Sequence, residues 1–296
     1  MVSVRILITG GSGLLGHKVA EIASNKGFTI FSGYNKNKPT IGTPIKIDLL
    51  NTSEAITRIR EIKPDIIIHA AALTNVDYCE TNKDFAYRVN VEGTRAIATI
   101  SKKLNSFLVY ISTDYVFDGD KGMYTEEDSP NPINYYGYTK LLGEKTNPDL
   151  IVRTSVIYGA KPANNKVNFV LWLIERLESN REVNIVTDQY ITPTFNTNLA
   201  NMIIELIEKE QKGIFHLAGA TRISRFDFAL EIARIFQLDK ALIKPIKMCE
   251  IKWKARRPKD TSLDTTKVSK LVHNKPLSIT AVSYTHLRAH ETRHDL

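Results

Sequence analysis

The stretch VRILITGGSGLLG, residues 4–16, decides the fold of this chain. Its apolar first half predicts a buried strand, and the residues from Leu14 onwards predict a helix. Glycines at positions 10, 13 and 16 permit a tight turn and a close approach of the backbone to a pyrophosphate, whose charge is attracted by the unpaired amides at the helix N-terminus. The stretch therefore predicts a nucleotide-binding turn between the first strand and the first helix.

Strand-like and helix-like stretches alternate beyond this turn. Further strands are predicted at 28–33, 45–47, 65–70 and 107–113, and helices at 14–25, 53–62 and 84–103. Such alternation is typical of a parallel sheet with helices on both faces. Residues 1–150 are therefore predicted to form a doubly wound α/β domain of the Rossmann type.

The pattern becomes less regular after residue 150. Strands are predicted at 151–153 and 213–217, and helices at 168–179, 197–210 and 224–236. We interpret residues 151–280 as a smaller substrate-binding lobe, with some later segments returning to the first domain. The loop 114–132, rich in Gly, Asp, Pro and Asn, is expected to cover a site near the end of the strand at 107–113.

Residues 281–296, AVSYTHLRAHETRHDL, contain three of the seven histidines and show no clear period. The segment resembles translated sequencing-adaptor sequence, and we expect a non-native tail there. We therefore exclude it from the functional interpretation. No metal site is expected, because Cys79 and Cys249 are far apart and lack metal-ligand spacing.

Composition narrows the class of protein. The 296 residues are 43% hydrophobic and 24% charged, as is typical of a soluble globular protein. No apolar run is long enough to cross a bilayer, and no room for a signal peptide precedes the strand at 4–9, so we expect a cytoplasmic protein without a membrane partner. The net charge of +8 comes from scattered Lys and Arg residues without a nucleic-acid motif, so we expect no nucleic-acid partner.

The candidate catalytic residues are Thr113, Tyr136 and Lys140. Tyr136 and Lys140 are four residues apart on a predicted helix and therefore share one face. An ammonium beside the phenol is expected to lower its pKa and to make it a usable acid or base. Thr113 follows a strand at the carboxyl edge of the sheet, where open parallel sheets bind ligands, and can hydrogen-bond a substrate carbonyl.

Several stretches resemble extended short-chain dehydrogenases/reductases. Asp48-Leu49 follows the third strand, His69-Ala70-Ala71-Ala72 ends the fourth, and Asn90 lies in RVNVEGT at 88–94. Within that superfamily, STDYVFDG at 112–119 and NPINYYGYTKLLGE at 131–144 closely resemble dTDP-4-dehydrorhamnose reductases, as do TPT at 192–194, GIFHLAG at 213–219 and RPKDTSLD at 257–264. The resemblance covers about residues 4–275.

The resemblance implies reduction of the 4-keto group of dTDP-4-dehydro-L-rhamnose. It implies that Asn90, Thr113, Asp114 and Arg257 contact the nucleotide-sugar substrate, with Arg153 as another candidate cation for the diphosphate. The implied cofactor-binding residues are Gly10, Ser12, Gly13, Leu14, Leu15, Gly16, Asp48, Leu49, Ala70, Ala71, Ala72, Tyr136 and Lys140. Tyr136 would donate a proton, Thr113 would stabilise the alkoxide, and Lys140 would hold the nicotinamide ribose.

The end of the second strand bears on the choice of cofactor. A carboxylate at this position would bind the ribose hydroxyls and repel a 2′-phosphate. The segment SGYNKNK at 32–38 contains no carboxylate. Lys36 or Lys38, with His17 and Lys18 near the glycine turn, can pair with that phosphate. The segment therefore favours NADPH, and NADH stays an alternative.

Other functions remain open at this stage. Sugar-nucleotide dehydratases follow the strand threonine with Asp and Glu, whereas Tyr115 follows Asp114 here, which disfavours dehydration. Another nucleotide-keto-sugar reductase or epimerase is an alternative. The regulatory subunit of methionine adenosyltransferase resembles the same reductases and suggests a binding role instead of turnover. A homodimer is a further expectation.

Overall fold

Parallel strands form the central sheet of the computed structural model, which describes residues 3–160 and 167–282. The strands are β1 (Arg5–Thr9), β2 (Thr29–Tyr34), β3 (Thr43–Lys46), β4 (Ile66–His69), β5 (Phe107–Ile111), β6 (Leu150–Arg153), β7 (Ile157–Tyr158), β8 (Val183–Val186), β9 (Tyr190–Ile191), β10 (Thr194–Phe195), β11 (Gly213–His216), β12 (Ile223–Ser224) and β13 (Ile243–Ile246). Seven of them make one sheet in the order β11-β6-β5-β4-β1-β2-β3, and these seven pair in parallel.

The helices are α1 (Leu14–Asn25), α2 (Thr52–Ile62), α3 (Val76–Thr81), α4 (Lys83–Tyr87), α5 (Gly93–Leu104), α6 (Tyr135–Glu144), α7 (Phe169–Glu178), α8 (Asn196–Glu208), α9 (Arg225–Ile235), α10 (Thr266–Leu271) and α11 (Ile279–Val282). The helix predicted at 84–103 is interrupted, because a π-helical turn, Arg88–Glu92, joins α4 to α5. The predicted Rossmann-type α/β fold is confirmed.

The sheet is buried on both faces, as a parallel sheet covered by helices requires. Side chains of β1 alternate between two cores, with Ile6 and Ile8 on the side of α1 and α8, and Leu7 on the side of α2 and α5. All three side chains are fully buried. This explains why residues 4–9 form a continuous apolar run and not a polar-apolar alternation.

A second, smaller layer surrounds its own apolar core. α7, α9 and the parallel pair β8 and β13 pack together around Leu173, Phe228 and Ile232. β6, α8 and β11 follow residue 149 in the chain but pack in the first layer, where later segments were expected to return, and the division into 1–150 and 151–280 stays a prediction. The two parts are therefore interleaved in sequence.

The expected tail begins inside a described element. Ala281 and Val282 belong to α11, and the Val282 side chain is buried in the second core. Residues 283–296, which include His286, His290 and His294, lie outside the described residues. The interpretation of this segment as non-native stays a prediction.

Candidate active site

The glycine turn follows β1 at the carboxyl edge of the sheet. Gly10 has a φ of +69°, which side-chain-bearing residues rarely adopt. A Cβ on Gly16 would overlap the Gly10 carbonyl oxygen, so only glycine lets α1 begin this close to the turn. Gly13 is the N-cap of α1 and offers no side-chain cap, so the first amides of the helix face the turn.

A cleft of about 760 Å³ starts at this turn and runs along the edge of the sheet. Its volume lies within the usual range of small-molecule sites. Asp114 and all the predicted cofactor-binding and catalytic residues line it: Gly10, Ser12, Gly13, Leu14, Leu15, Gly16, Asp48, Leu49, Ala70, Ala71, Ala72, Thr113, Tyr136 and Lys140. Thr154, Val156 and Ile157 also line the cleft, although no motif had singled them out.

One end of the cleft lies beside the turn after β2. Asp48 Oδ1 accepts hydrogen bonds from the Leu50 amide at 3.0 Å and from Asn35 Nδ2 at 3.2 Å. Lys36 lines the cleft here, whereas His17, Lys18 and Lys38 do not, and Lys18 pairs with Glu21. Of the four cations considered from the sequence, only Lys36 is therefore positioned at the cleft.

Tyr136 is brought to the other end of the cleft by α6. Asn134 caps this helix by accepting a hydrogen bond from the Gly137 amide at 2.9 Å. A Cβ on Gly137 would overlap the Tyr115 carbonyl oxygen, so glycine allows α6 to approach the end of β5 closely. The Tyr136 ring then lies 6.1 Å from the Tyr115 ring in an edge-on arrangement.

Lys140 is buried beside Tyr110. Its Nζ donates a hydrogen bond to the Ile111 carbonyl at 2.7 Å and lies 4.2 Å from the centre of the Tyr110 ring. Burial lowers the pKa of Lys140 to about 7, although the Glu144 carboxylate acts in the opposite direction. The ammonium and amine forms of this side chain are therefore both populated near neutral pH.

The expected lowering of the Tyr136 pKa is not found. Burial raises the pKa of this phenol well above its ordinary value of 10, and the hydrogen bond with Thr113 offsets only part of that rise. Desolvation of the phenolate outweighs the effect of neighbouring groups, and Lys140 is itself largely desolvated. Tyr136 therefore holds its proton at neutral pH.

Thr113 and Asp114 form a buried hydroxyl–carboxylate group. Asp114 Oδ1 accepts from Thr113 Oγ1 at 3.0 Å, and Asp114 Oδ2 accepts from Ser155 Oγ at 2.8 Å and Thr261 Oγ1 at 2.6 Å. Burial raises the pKa of Asp114, while these hydroxyls lower it. Asp114 therefore orients Thr113 and joins it to the loops at 155 and 261.

His69 completes the wall behind the cleft. Its Nδ1 and Nε2 contact Thr9 Oγ1 at 2.7 Å and Thr94 Oγ1 at 3.0 Å. Because Thr94 Oγ1 donates to the Asn90 carbonyl, His69 Nε2 carries the proton and Nδ1 accepts from Thr9. Burial lowers the pKa of His69 to about 3, so the ring is neutral. The sequence contained this histidine in its fourth-strand motif without revealing this bracing role.

Three residues expected to contact the substrate do not line this cleft, and their contact with a substrate stays a prediction. The buried Asn90 amide bonds to both polar backbone atoms of Leu73 and to Thr139 Oγ1, so it braces the cleft wall from behind. Arg257 pairs with Asp77 at 2.9 Å. Arg153 lies in β6 and forms a buried, two-pronged ion pair with Glu144, so it faces the core.

The described residues lack both a membrane-spanning helix and a metal-binding cluster. In residues 3–160 and 167–282, no helix combines the length and the apolar character that a membrane span requires. The same residues contain no cluster of three or more His, Cys, Asp or Glu side chains that could hold a metal ion.

Comparisons with known proteins give relatives over nearly the whole chain. The probable low-salt glycan biosynthesis reductase Agl14 of Haloferax volcanii is 34% identical, with 88% of this chain and 90% of the relative covered. Methionine adenosyltransferase 2 subunit beta of Mus musculus is 33% identical, with 91% and 83% covered. The chain therefore resembles both a reductase and a subunit of another enzyme.

Solved structures agree with the observed fold. A hypothetical dTDP-4-dehydrorhamnose reductase from Sulfolobus tokodaii is 39% identical with a TM-score of 0.86, covering 95% of this chain and 99% of its own. The dTDP-4-dehydrorhamnose reductase of Bacillus anthracis, solved with NADP, is 33% identical with a TM-score of 0.84, covering 94% and 96%.

The family match spans the glycine turn, α6 and the second layer. Residues 4–282 match the family described as RmlD substrate binding domain. The chain therefore belongs to the dTDP-4-dehydrorhamnose reductase family of extended short-chain dehydrogenases/reductases, a family of NAD(P)-dependent reductases.

Proposed function

We propose that this protein uses NADPH to reduce the 4-keto group of dTDP-4-dehydro-L-rhamnose, giving dTDP-L-rhamnose. The observation that carries the proposal is the convergence of Thr113, Tyr136 and Lys140 in the cleft that begins at the glycine turn. The turn and the cleft volume fit a dinucleotide, and family membership supports the reaction.

The proposed roles follow from the state of each side chain. Bound NADPH supplies the hydride for the keto carbon. Tyr136, kept protonated by burial, donates its proton to the developing alkoxide, so that the C=O group becomes a C–OH group. Thr113 turns its hydroxyl from Asp114 Oδ1 to the same oxygen and stabilises its charge. Lys140, held by the Ile111 carbonyl, contacts the ribose, and its ammonium form stabilises the Tyr136 phenolate until a proton from solvent restores the phenol.

We propose NADPH in preference to NADH because of the residues after β2. Lys36 lies at the cleft where an adenosine 2′-phosphate would sit, and the segment 32–38 contains no carboxylate. The one nearby carboxylate, Asp48, is engaged by the Leu50 amide and Asn35. The NADP in the Bacillus anthracis relative supports this preference.

A binding role is the second candidate, because a methionine adenosyltransferase beta subunit is 33% identical, close to the 34% of the reductase Agl14. Such a role predicts dinucleotide binding without reduction of a keto sugar. It also predicts a stable complex with a methionine adenosyltransferase catalytic subunit. Reduction of a different nucleotide-linked keto sugar is compatible with the same cleft.

The test is oxidation of NADPH, followed by its absorbance, with dTDP-4-dehydro-L-rhamnose generated in place. We expect substrate-dependent oxidation, slower with NADH. Tyr136→Phe should lower turnover by about 100-fold or more, as loss of a positioned proton donor does, while NADPH still binds. A folded protein that binds NADPH but oxidises it with no nucleotide-linked keto sugar would contradict the proposal and favour the binding role.

A further inference from the structure

The arginines around the junction of the two lobes differ in how their charges are balanced. Arg257 pairs with Asp77, Arg222 with Asp260 and Arg153 with Glu144. Arg225 forms no ion pair with any residue of the described segments 3–160 and 167–282. Its positive charge meets no carboxylate within ion-pair distance in those segments, although at longer range it offsets part of the rise that burial causes in the pKa of Asp114.

Arg225 is held in place by a neutral group. It is the first residue of α9, and its Nε donates to Gln189 Oε1 at 2.5 Å. Gln189 is 3% exposed and donates from Nε2 to the Pro258 carbonyl at 3.1 Å, which sets the orientation of its amide. The amide restrains the guanidinium without neutralising it, and the two Nη groups stay free of a carboxylate.

The guanidinium lies one aromatic ring away from the proposed proton donor. Burial raises the pKa of the Tyr115 phenol, and the positive charge of Arg225 close by offsets part of that rise. The Tyr115 ring in turn lies 6.1 Å from the Tyr136 ring. The positive charge of Arg225 therefore lies just beyond the catalytic end of the cleft, on the side of the second lobe.

We propose that Arg225 binds the diphosphate of the nucleotide sugar and that Gln189 positions it. The inference rests on the proposed function, because a sugar whose C4 oxygen meets Tyr136 carries its phosphate across the ring, on C1. The Nη groups of Arg225, which face no carboxylate, can donate hydrogen bonds to phosphate oxygens. Arg225 thus takes the role first expected of Arg257, whose charge is already balanced by Asp77.

The test is calorimetric titration of the full chain, saturated with NADP⁺, with dTDP and with thymidine. The variants are Arg225→Gln and Arg225→Lys. Arg222→Gln is the matched control, because it removes the same charge three residues away from a side chain that is paired with Asp260. Saturation with NADP⁺ prevents dTDP from binding in the dinucleotide cleft.

We expect Arg225→Gln to weaken dTDP binding about tenfold or more, as loss of a charged hydrogen-bond donor does, with Arg225→Lys in between. Thymidine and NADP⁺ affinities should not change, and Arg222→Gln should resemble the wild type. Equal dTDP affinity in Arg225→Gln and the wild type would overturn the inference. The inference would also be overturned if Arg225→Gln and Arg222→Gln lost the same amount of dTDP affinity, or if the wild type did not bind dTDP.

Parallel assays of keto-sugar reduction separate the two proposals. If the wild type reduces the keto sugar and Arg225→Gln has the same KM for that sugar, the Arg225 assignment is contradicted and the reductase proposal is supported. If the wild type reduces no keto sugar, but Arg225→Gln still binds dTDP more weakly than the wild type does, the Arg225 assignment is supported and the reductase proposal is contradicted.

Discussion

At the scale of single residues, burial sets the chemistry of the site. Lys140 has its pKa lowered to about 7 and Tyr136 has its pKa raised, both chiefly because their charged forms are desolvated. The two shifts act in opposite directions on proton release. Tyr136 therefore keeps a proton to donate, and Lys140 becomes sensitive to any charge that enters the cleft.

The affinity for NADPH should fall as the pH rises through about 7. The cofactor's negative charge favours the ammonium form of Lys140, so above that pKa binding must first add a proton to an amine. Fluorescence titrations on both sides of neutral pH measure this dependence. Lys140→Met is the control, since any pH dependence of its NADPH affinity comes from groups other than Lys140, including the cofactor itself. If the wild type and Lys140→Met show the same pH dependence, the prediction is refuted.

Arg153 and Glu144 form a buried, two-pronged ion pair. Both side chains are almost completely buried, and Ser112 Oγ donates a further hydrogen bond to Glu144 Oε1 at 2.5 Å. Removing one partner leaves an unpaired charge in the core, whereas removing both does not.

Arg153→Met should lower the free energy of unfolding by about 3–5 kcal/mol. The double variant Arg153→Met with Glu144→Leu should recover much of that loss. Chemical denaturation gives both values. Arg58→Gln, which breaks an exposed pair with Glu54, should cost about 1 kcal/mol or less and serves as the control. A similar small loss in Arg153→Met would show that the buried pair contributes little.

At the scale of elements, the turn between β1 and α1 depends on contacts that exclude a side chain. Gly16 faces the Gly10 carbonyl, a backbone group that cannot rotate away. The glycine spacing is therefore explained by the short distance between the turn and the start of α1, and not by flexibility of the segment.

Gly16→Ala should weaken NADPH binding about tenfold or more, because the added Cβ displaces the amides that face the pyrophosphate. Gly27→Ala is the matched control. Gly27 has a φ of +88° but nothing within 4 Å of an added Cβ. It should therefore lose about 1 kcal/mol or more of stability and keep its NADPH affinity. Isothermal titration with NADPH tests both, and unchanged affinity in Gly16→Ala would contradict the explanation.

At the scale of the whole molecule, the first layer is assembled from distant parts of the chain. β6 and β11 extend the sheet beside β5, and α8 covers the face that α1 leaves open. Asp114 adds a polar link, since it binds Ser155 and Thr261 at once. The end of the cleft near Thr113 and Asp114 therefore depends on both halves of the chain.

A fragment of residues 1–150 should not fold into a stable domain. It would leave β5 as an edge strand and expose the apolar face that α8 buries through side chains such as Leu199 and Ile203. Circular dichroism during thermal unfolding is the measurement, with the full chain as the control. A cooperative transition in the fragment, close to that of the full chain, would contradict this expectation.

Local periodicity and motif spacing predicted much of the fold and of the cleft. Residues 4–16 predicted a strand, turn and helix, and the pair Tyr136 and Lys140 was expected on one helix. These features depend on neighbours in the sequence, so a single chain reveals them. α3, a helix of six residues, and the π-helical turn Arg88–Glu92 were missed, and Asn90 within that turn bonds to Leu73 and Thr139, which local periodicity does not reveal.

The sequence by itself determined the parallel α/β fold, the glycine turn and the residue types that line the cleft, because strand and helix periods and turn chemistry act over a few residues. Only the tertiary structure decided the protonation preferences of Tyr136 and Lys140 and the pairing of each arginine. Those properties depend on desolvation and on partners brought together from distant segments. For that reason Arg257 was a reasonable expectation from sequence, and Arg225 emerged only from the folded chain.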